Sequence, residues 1–96
     1  MRFSDYFKEK YSGKIPPSVK ITYRDDLSDS NNIGTLSGVD LDSDLFSGYI
    51  YYWDKGYFDF MLFNLQKDEE EIATTIHKTK QFDDDLIDRI VKYFSK

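Results

Sequence analysis

The chain has 96 residues, a formal net charge of −5 and no cysteine, so we expect one domain, residues 1–96, with one modest core. The lack of cysteine excludes disulfides and thiolate metal sites, and it suits a reducing compartment. The sequence has no apolar run of the length that a signal peptide or a membrane span needs, which predicts a cytoplasmic protein without a membrane partner.

Aromatic residues at helical spacing predict a first helix over residues 3–12, with Ser4 as its N-cap. Two consecutive prolines prevent its continuation. The alternation of apolar and polar residues after them predicts a strand at about residues 19–23. Residues 25–34 contain almost no apolar side chains, so they are predicted to form a long loop.

Four further segments with strand character and one with helix character complete the chain. The predicted strands lie at about residues 35–41, 46–53, 57–64 and 71–78, and the predicted helix at residues 83–95 with Asp83 as its cap. Successive strands with short connections form antiparallel meanders. The sequence therefore predicts an α+β fold, in which a meander of four or five strands packs against an N-terminal and a C-terminal helix.

The turn at residues 54–56 decides which side chains of the hairpin around it are buried. A three-residue turn pairs Trp53 with Tyr57 and places both, together with Tyr51 and Asp59, on the face away from the core. A two-residue turn would shift the pairing by one residue and bury Trp53. We favour the three-residue turn, and the other register stays open on sequence alone.

Seven acids and no Lys or Arg lie between residues 25 and 54. Such a block repels nucleic acid and attracts basic proteins or cations, although many acidic surfaces only keep a protein in solution. Acids and neighbouring aromatic residues are the predicted partner-binding residues: Asp25, Asp26, Asp29, Asp40, Asp42, Asp44, Tyr51, Trp53, Asp54, Tyr57 and Asp59.

Catalytic and cofactor motifs are missing from the sequence. His77 is the single histidine, and no nucleophile motif or nucleotide-binding loop accompanies it. Asp40, Asp42 and Asp44 have the spacing of an EF-hand loop, but Leu45 stands where that loop needs glycine. We therefore expect no enzyme activity, no catalytic residue, no metal, no cofactor and no nucleic-acid partner.

Three short segments carry a resemblance to a known family: VDLD at 39–42, GYI at 48–50 and WDKG at 53–56. Together with Asp59 and Leu62 they resemble the TriTu-type immunity proteins of bacterial polymorphic-toxin and contact-dependent growth inhibition systems. The resemblance covers roughly residues 35–96. It implies binding to one cognate toxin domain in the cytoplasm of the producing cell, with no catalytic residue.

Two functions are consistent with these observations. The first is an immunity protein, monomeric in a 1:1 complex, that occludes the substrate-binding surface of a basic, nuclease-type toxin domain. The alternative is an adaptor or regulatory subunit that binds a basic peptide or a small molecule between the sheet and the helices.

Overall fold

A computed structural model of the chain describes residues 1–28 and 33–95, and in these ranges it has two α-helices and one five-stranded sheet. The elements are α1 (Phe3–Lys10), a 3₁₀ turn (Ser12–Lys14), β1 (Lys20–Ser28), β2 (Thr35–Asp42), β3 (Phe46–Trp53), β4 (Tyr57–Asn64), β5 (Glu69–Lys78) and α2 (Asp84–Val91). The strands lie in the order β1-β2-β3-β4-β5, and every neighbouring pair is antiparallel. The predicted α+β meander is confirmed.

The start of α1 differs from the prediction, because Ser4 is not its N-cap. The capping position belongs to Arg2, whose side chain makes no capping hydrogen bond. Ser4 is buried against the sheet, where its hydroxyl donates to a carboxylate oxygen of Asp25 at 2.8 Å and its N–H donates to the hydroxyl of Ser37 at 3.0 Å. These tertiary partners take the hydroxyl that a cap would use.

Strand β1 is longer than predicted, because the supposed loop at 25–34 begins with paired backbone. The ladder with β2 continues past a bulge between Asp25 and Leu27, where Asp26 has a φ of +64°. An edge strand tolerates acids because one of its sides faces water. The loop prediction was therefore wrong for residues 25–28, and residues 29–32, with the predicted site residue Asp29, lie outside the described ranges.

The hairpin of β3 and β4 has the predicted bounds and the three-residue turn. Trp53 pairs with Tyr57, and the N–H of Gly56 donates to the carbonyl oxygen of Trp53 at 2.9 Å. Gly56 has a φ of +99°, a conformation that favours glycine. This register fixes which side chains of β3 and β4 lie on each face of the sheet.

Both helices pack on the same face of the sheet, which we call the covered face. Its buried residues are Val39, Leu41, Ile50, Phe58, Phe60 and Leu62 from the strands, Phe3 and Phe7 from α1, and Ile87, Ile90 and Val91 from α2. The rings of Phe3 and Phe58 meet edge to face with centroids 5.3 Å apart. This single core leaves the opposite face of the sheet, which we call the open face, without a helix.

Asp84, at the start of α2, joins the two helices. Its carboxylate accepts hydrogen bonds from the hydroxyls of Tyr6 at 2.7 Å and Tyr11 at 2.5 Å, and from the ammonium of Lys10 at 2.8 Å. Burial alone would raise the pKa of Asp84, but these donors outweigh burial and lower it to about 2. As predicted, the side chain of Asp83 caps α2 by accepting from the N–H of Leu86 at 3.2 Å.

The helices are short. Each has 8 residues. Within residues 1–28 and 33–95, no helix has the length and apolar character needed to cross a membrane.

Candidate functional site

The open face of the sheet concentrates aromatic side chains on its central strands. It carries Tyr49, Tyr51 and Trp53 from β3, and Tyr57, Asp59 and Met61 from β4. All six are half-buried although no helix lies over them. The strands beneath them are paired on both sides and backed by the core, so this face is a rigid platform.

A glycine explains how two of these rings come to lie together. Gly38 on β2 pairs with Tyr51, and a Cβ on Gly38 would lie 2.5 Å from a ring carbon of Tyr51. The ring therefore lies across the glycine, stacked on Tyr49 with centroids 4.5 Å apart and an interplanar angle of 22°.

Asp40, on one side of this stack, is fully paired within the chain. The hydroxyl of Tyr51 donates to its carboxylate, and the guanidinium of Arg24 forms an ion pair with it. Burial, followed by the bond to Asp40, raises the pKa of the Tyr51 hydroxyl, which keeps that hydroxyl a donor. Arg24 was not among the predicted site residues, because β1 was expected to end before it.

Asp59, on the other side of the stack, has no cation within residues 1–28 and 33–95. It pairs with Tyr51 on β3 and with Ile76 on β5, and the hydroxyl of Tyr49 donates to its carboxylate at 3.1 Å. Burial raises its pKa, and the Tyr49 hydroxyl and the Trp53 indole offset this only in part.

The indole N–H of Trp53 is buried and has no hydrogen-bond partner among the described residues. The indole lies close enough to Asp59 to lower the pKa of its carboxyl, but its geometry does not complete a hydrogen bond. A buried donor without an acceptor is uncommon in proteins. In the part of the chain that the structure describes, an unpaired donor and a carboxylate without an ion pair thus lie side by side on the open face.

The other predicted acids do not share one surface. Asp25 lies on the covered face with Ser4 and Ser37, whereas Asp26 forms an ion pair with Arg2 at 3.0 Å. Bases from outside the acidic block compensate part of its charge, because the fold brings Arg2 and Arg24 to residues 25–54.

The remaining acids lie near the ends of β2 and β3. Asp42 is exposed at the end of the open face and accepts from the hydroxyl of Ser47 at 2.6 Å. Asp44 is exposed in the connection between β2 and β3. Asp54, in the hairpin turn, accepts from the N–H of Thr35 at 3.0 Å and so closes the end of β2 onto that turn.

No metal-binding cluster is formed by the parts of the chain that the structure describes. Asp40 is paired with Arg24, Asp42 lies at the end of the same strand, and Asp44 lies in the connection to β3. No group of three or more His, Cys, Asp or Glu side chains comes together in residues 1–28 and 33–95. His77 is exposed on β5.

A cavity of about 700 Å³ lies away from the aromatic cluster, between the β2–β3 connection and the C-terminal end of α2. It is lined by Ser18, Val19, Ser43, Asp44, Leu45, Phe46, Lys92, Tyr93 and Phe94. Sequence reasoning missed it, because three segments distant in the chain form its wall and none carries a motif.

Comparison of the chain with protein-family models, with curated proteins and with solved structures found no match.

Proposed function

We propose that this protein binds another protein through its open face, and that the partner is a toxin domain which the bound protein neutralises. The observation that carries the proposal is the aromatic cluster on a sheet face without a helix. Tyr, Trp and Met are enriched at protein interfaces, and buried Tyr and Trp contribute much of the binding energy there. A sheet face that only met water would have no need of such side chains.

Internal hydrogen bonds support this use of the face. The hydroxyls of Tyr49 and Tyr51 are bound to Asp59 and Asp40, so their rings hold fixed positions before a partner arrives. A preorganised surface loses little side-chain entropy on binding, which leaves more of the contact energy as affinity.

The identity of the partner as a toxin is supported by the resemblance of segments 39–42, 48–50 and 53–56 to TriTu-type immunity proteins. Those segments lie on β2 and β3 and in the hairpin turn, beside the aromatic cluster. The net charge of −5 and the exposed Asp42 complement a basic nuclease surface and would steer it to this face. In this proposal the protein acts in the cytoplasm as a monomer in a 1:1 complex.

Co-expression with the toxin domain encoded directly upstream of this gene tests the proposal. The protein should restore growth, and the purified pair should elute as a 1:1 complex in size-exclusion chromatography with light scattering. Tyr57→Ala, on the open face, should weaken rescue and raise the dissociation rate. The control is Tyr23→Ala, which removes an exposed tyrosine from the opposite side of the sheet. Lethality despite soluble protein would refute the proposal.

The cavity of about 700 Å³ favours a second candidate, a regulatory subunit that binds a small apolar molecule. Titration with anilinonaphthalene sulfonate distinguishes the two sites. Dye emission that saturates, disappears in Ser18→Trp and persists in Trp53→Ala would support binding in the cavity. Emission lost only in Trp53→Ala would place the dye on the open face and count against the second candidate.

A further inference from the structure

We infer that Asp59 and the aromatic rings around it form a receptor for one arginine side chain of the partner protein. The inference rests on the proposed function, because it assumes that the open face binds a protein. It adds the chemistry that the partner must present there.

Two acids flank the Tyr49–Tyr51 stack. Asp40 and Asp59 each accept a hydrogen bond from one tyrosine of the stack. Asp40 also forms an ion pair with the guanidinium of Arg24, which lies on β1. Asp59 has the same tyrosine support without a cation among the described residues, so the chain shows one filled guanidinium position and one unfilled position.

The register places three aromatic rings of β3 along one side of the unfilled position. Tyr51 is the direct cross-strand neighbour of Asp59, whereas Tyr49 and Trp53 are its two diagonal neighbours on β3. Diagonal neighbours in a sheet lie within reach of aromatic side chains. A cation that approaches Asp59 therefore also meets the faces or edges of these rings, and ring faces attract cations.

The shape of the position favours arginine over lysine. A guanidinium is planar, donates two parallel hydrogen bonds to a carboxylate and stacks on aromatic rings, whereas an ammonium is compact and strongly hydrated. The position is half-buried, which adds to the cost of stripping water from lysine. Burial also raises the pKa of Asp59, as expected for a carboxylate that lacks its counter-ion.

The chain's own nearby lysine does not occupy this position. Lys78 pairs with Tyr57 across β4 and β5, and its ammonium lies over the Tyr57 ring, 6.0 Å from the centroid. It forms no ion pair with Asp59 within the described ranges. Since no cation of the described residues pairs with Asp59, we assign the position beside it to a cation of the partner.

The test is an NMR titration that follows the indole N–H of Trp53, a single resonance because the chain has one tryptophan. The probe is the blocked peptide Ac-Gly-Arg-Gly-NH2, and its counterpart carries citrulline, which keeps the shape and removes the charge. The arginine peptide should shift the indole resonance saturably. The citrulline peptide should bind about tenfold more weakly or worse, and the lysine peptide should also bind more weakly than the arginine peptide.

Two matched variants locate the site. Asp59→Asn should weaken binding of the arginine peptide about tenfold, because it removes the charge and keeps the shape. Asp85→Asn, which changes an exposed acid on α2 on the covered side of the sheet, should leave binding unchanged. The inference is overturned if no saturable shift appears, if citrulline binds as well as arginine, or if Asp59→Asn binds as the native protein does. If Asp59→Asn does not fold, the comparison of arginine with citrulline on the native protein decides.

The same variants separate this inference from the proposed function. If the native protein and Asp59→Asn both neutralise the upstream toxin and the arginine peptide does not bind, the inference fails and the proposed function stands. If the arginine peptide binds through Asp59 and the native protein leaves that toxin lethal, the proposed function fails and the arginine receptor stands.

Discussion

The two faces of the sheet use the same strands for different purposes. Along β4, Phe58, Phe60 and Leu62 are at most 4% exposed beneath the helices, whereas Tyr57, Asp59 and Met61 between them are half-buried without a helix. The side chains of the covered face are hydrocarbon except at the edges of the core. On the open face, many side chains also carry a hydroxyl or a carboxylate. Alternation along a strand thus separates the residues that stabilise the fold from those available to a partner.

The largest effect is expected on the covered face. Phe58 is fully buried and contacts the rings of Phe3, Tyr52 and Phe82. Phe58→Ala should lower the free energy of unfolding by about 3–5 kcal/mol, through lost transfer energy and a cavity. Urea unfolding followed by circular dichroism measures it. A loss below about 1 kcal/mol would mean that this face does not carry the stability.

Gly38→Ala probes the close approach of the Tyr51 ring to β2. The added Cβ would lie 2.5 Å from the carbonyl oxygen of Ile50 and 2.5 Å from the ring of Tyr51. Relieving this overlap should cost about 1–3 kcal/mol and displace the Tyr51 ring from Tyr49. Denaturation reports the cost, and near-UV circular dichroism reports the ring. Gly13→Ala is the control, since no atom lies within 4 Å of its new Cβ.

Trp53→Ala should cost less stability than Phe58→Ala, although tryptophan is the larger residue. Part of its surface already meets water, so the expected loss is about 1–2 kcal/mol with an unchanged far-UV spectrum. Its main effect should be faster dissociation from the partner, measured by surface plasmon resonance. Global unfolding of Trp53→Ala would contradict the assignment of Trp53 to the open face.

The smallest expected effect is on the pH dependence of stability, through the hydrogen bonds by which Asp84 joins the two helices. The folded pKa of Asp84, about 2, lies below that of an unfolded aspartate, so its stabilisation is present above about pH 4 and is lost as the pH falls towards 2. Asp84→Asn should therefore narrow the difference in unfolding free energy between pH 4 and pH 2. Asp85→Asn, an exposed neighbour in the same helical turn, should leave that difference unchanged.

The sequence predicted the fold best where local pattern and tertiary structure agree. Two runs rich in aromatic residues, with a glycine in the turn between them, predicted the bounds of the hairpin and favoured the register that the structure has. The prediction from the sequence failed at β1. Asp25 and Asp26 are residue types that favour a loop, but an edge strand and a bulge accommodate them here. Ser4 was misassigned for a related reason, since its partners lie 21 and 33 residues away.

The sequence predicted which side chains share the open face, but it did not predict the ion pairs that their carboxylates form. Tyr51, Trp53, Tyr57 and Asp59 do lie together on the open face. The pairing of Arg24 with Asp40 depends on the β1–β2 register, which no local pattern determines. The count of acids in residues 25–54 therefore overstated the negative charge of that surface, because bases from distant segments neutralise part of it.

The joint at Asp84 also bears on how the chain folds during synthesis. The meander needs only contacts between neighbouring strands, so it can form as each hairpin leaves the ribosome. The partners of Asp84 in α1 and just after it precede it by 73 to 78 residues. Since α2 is synthesised after all five strands, the covered face stays partly exposed until then. A chaperone that protects the nascent chain would therefore meet this hydrocarbon surface.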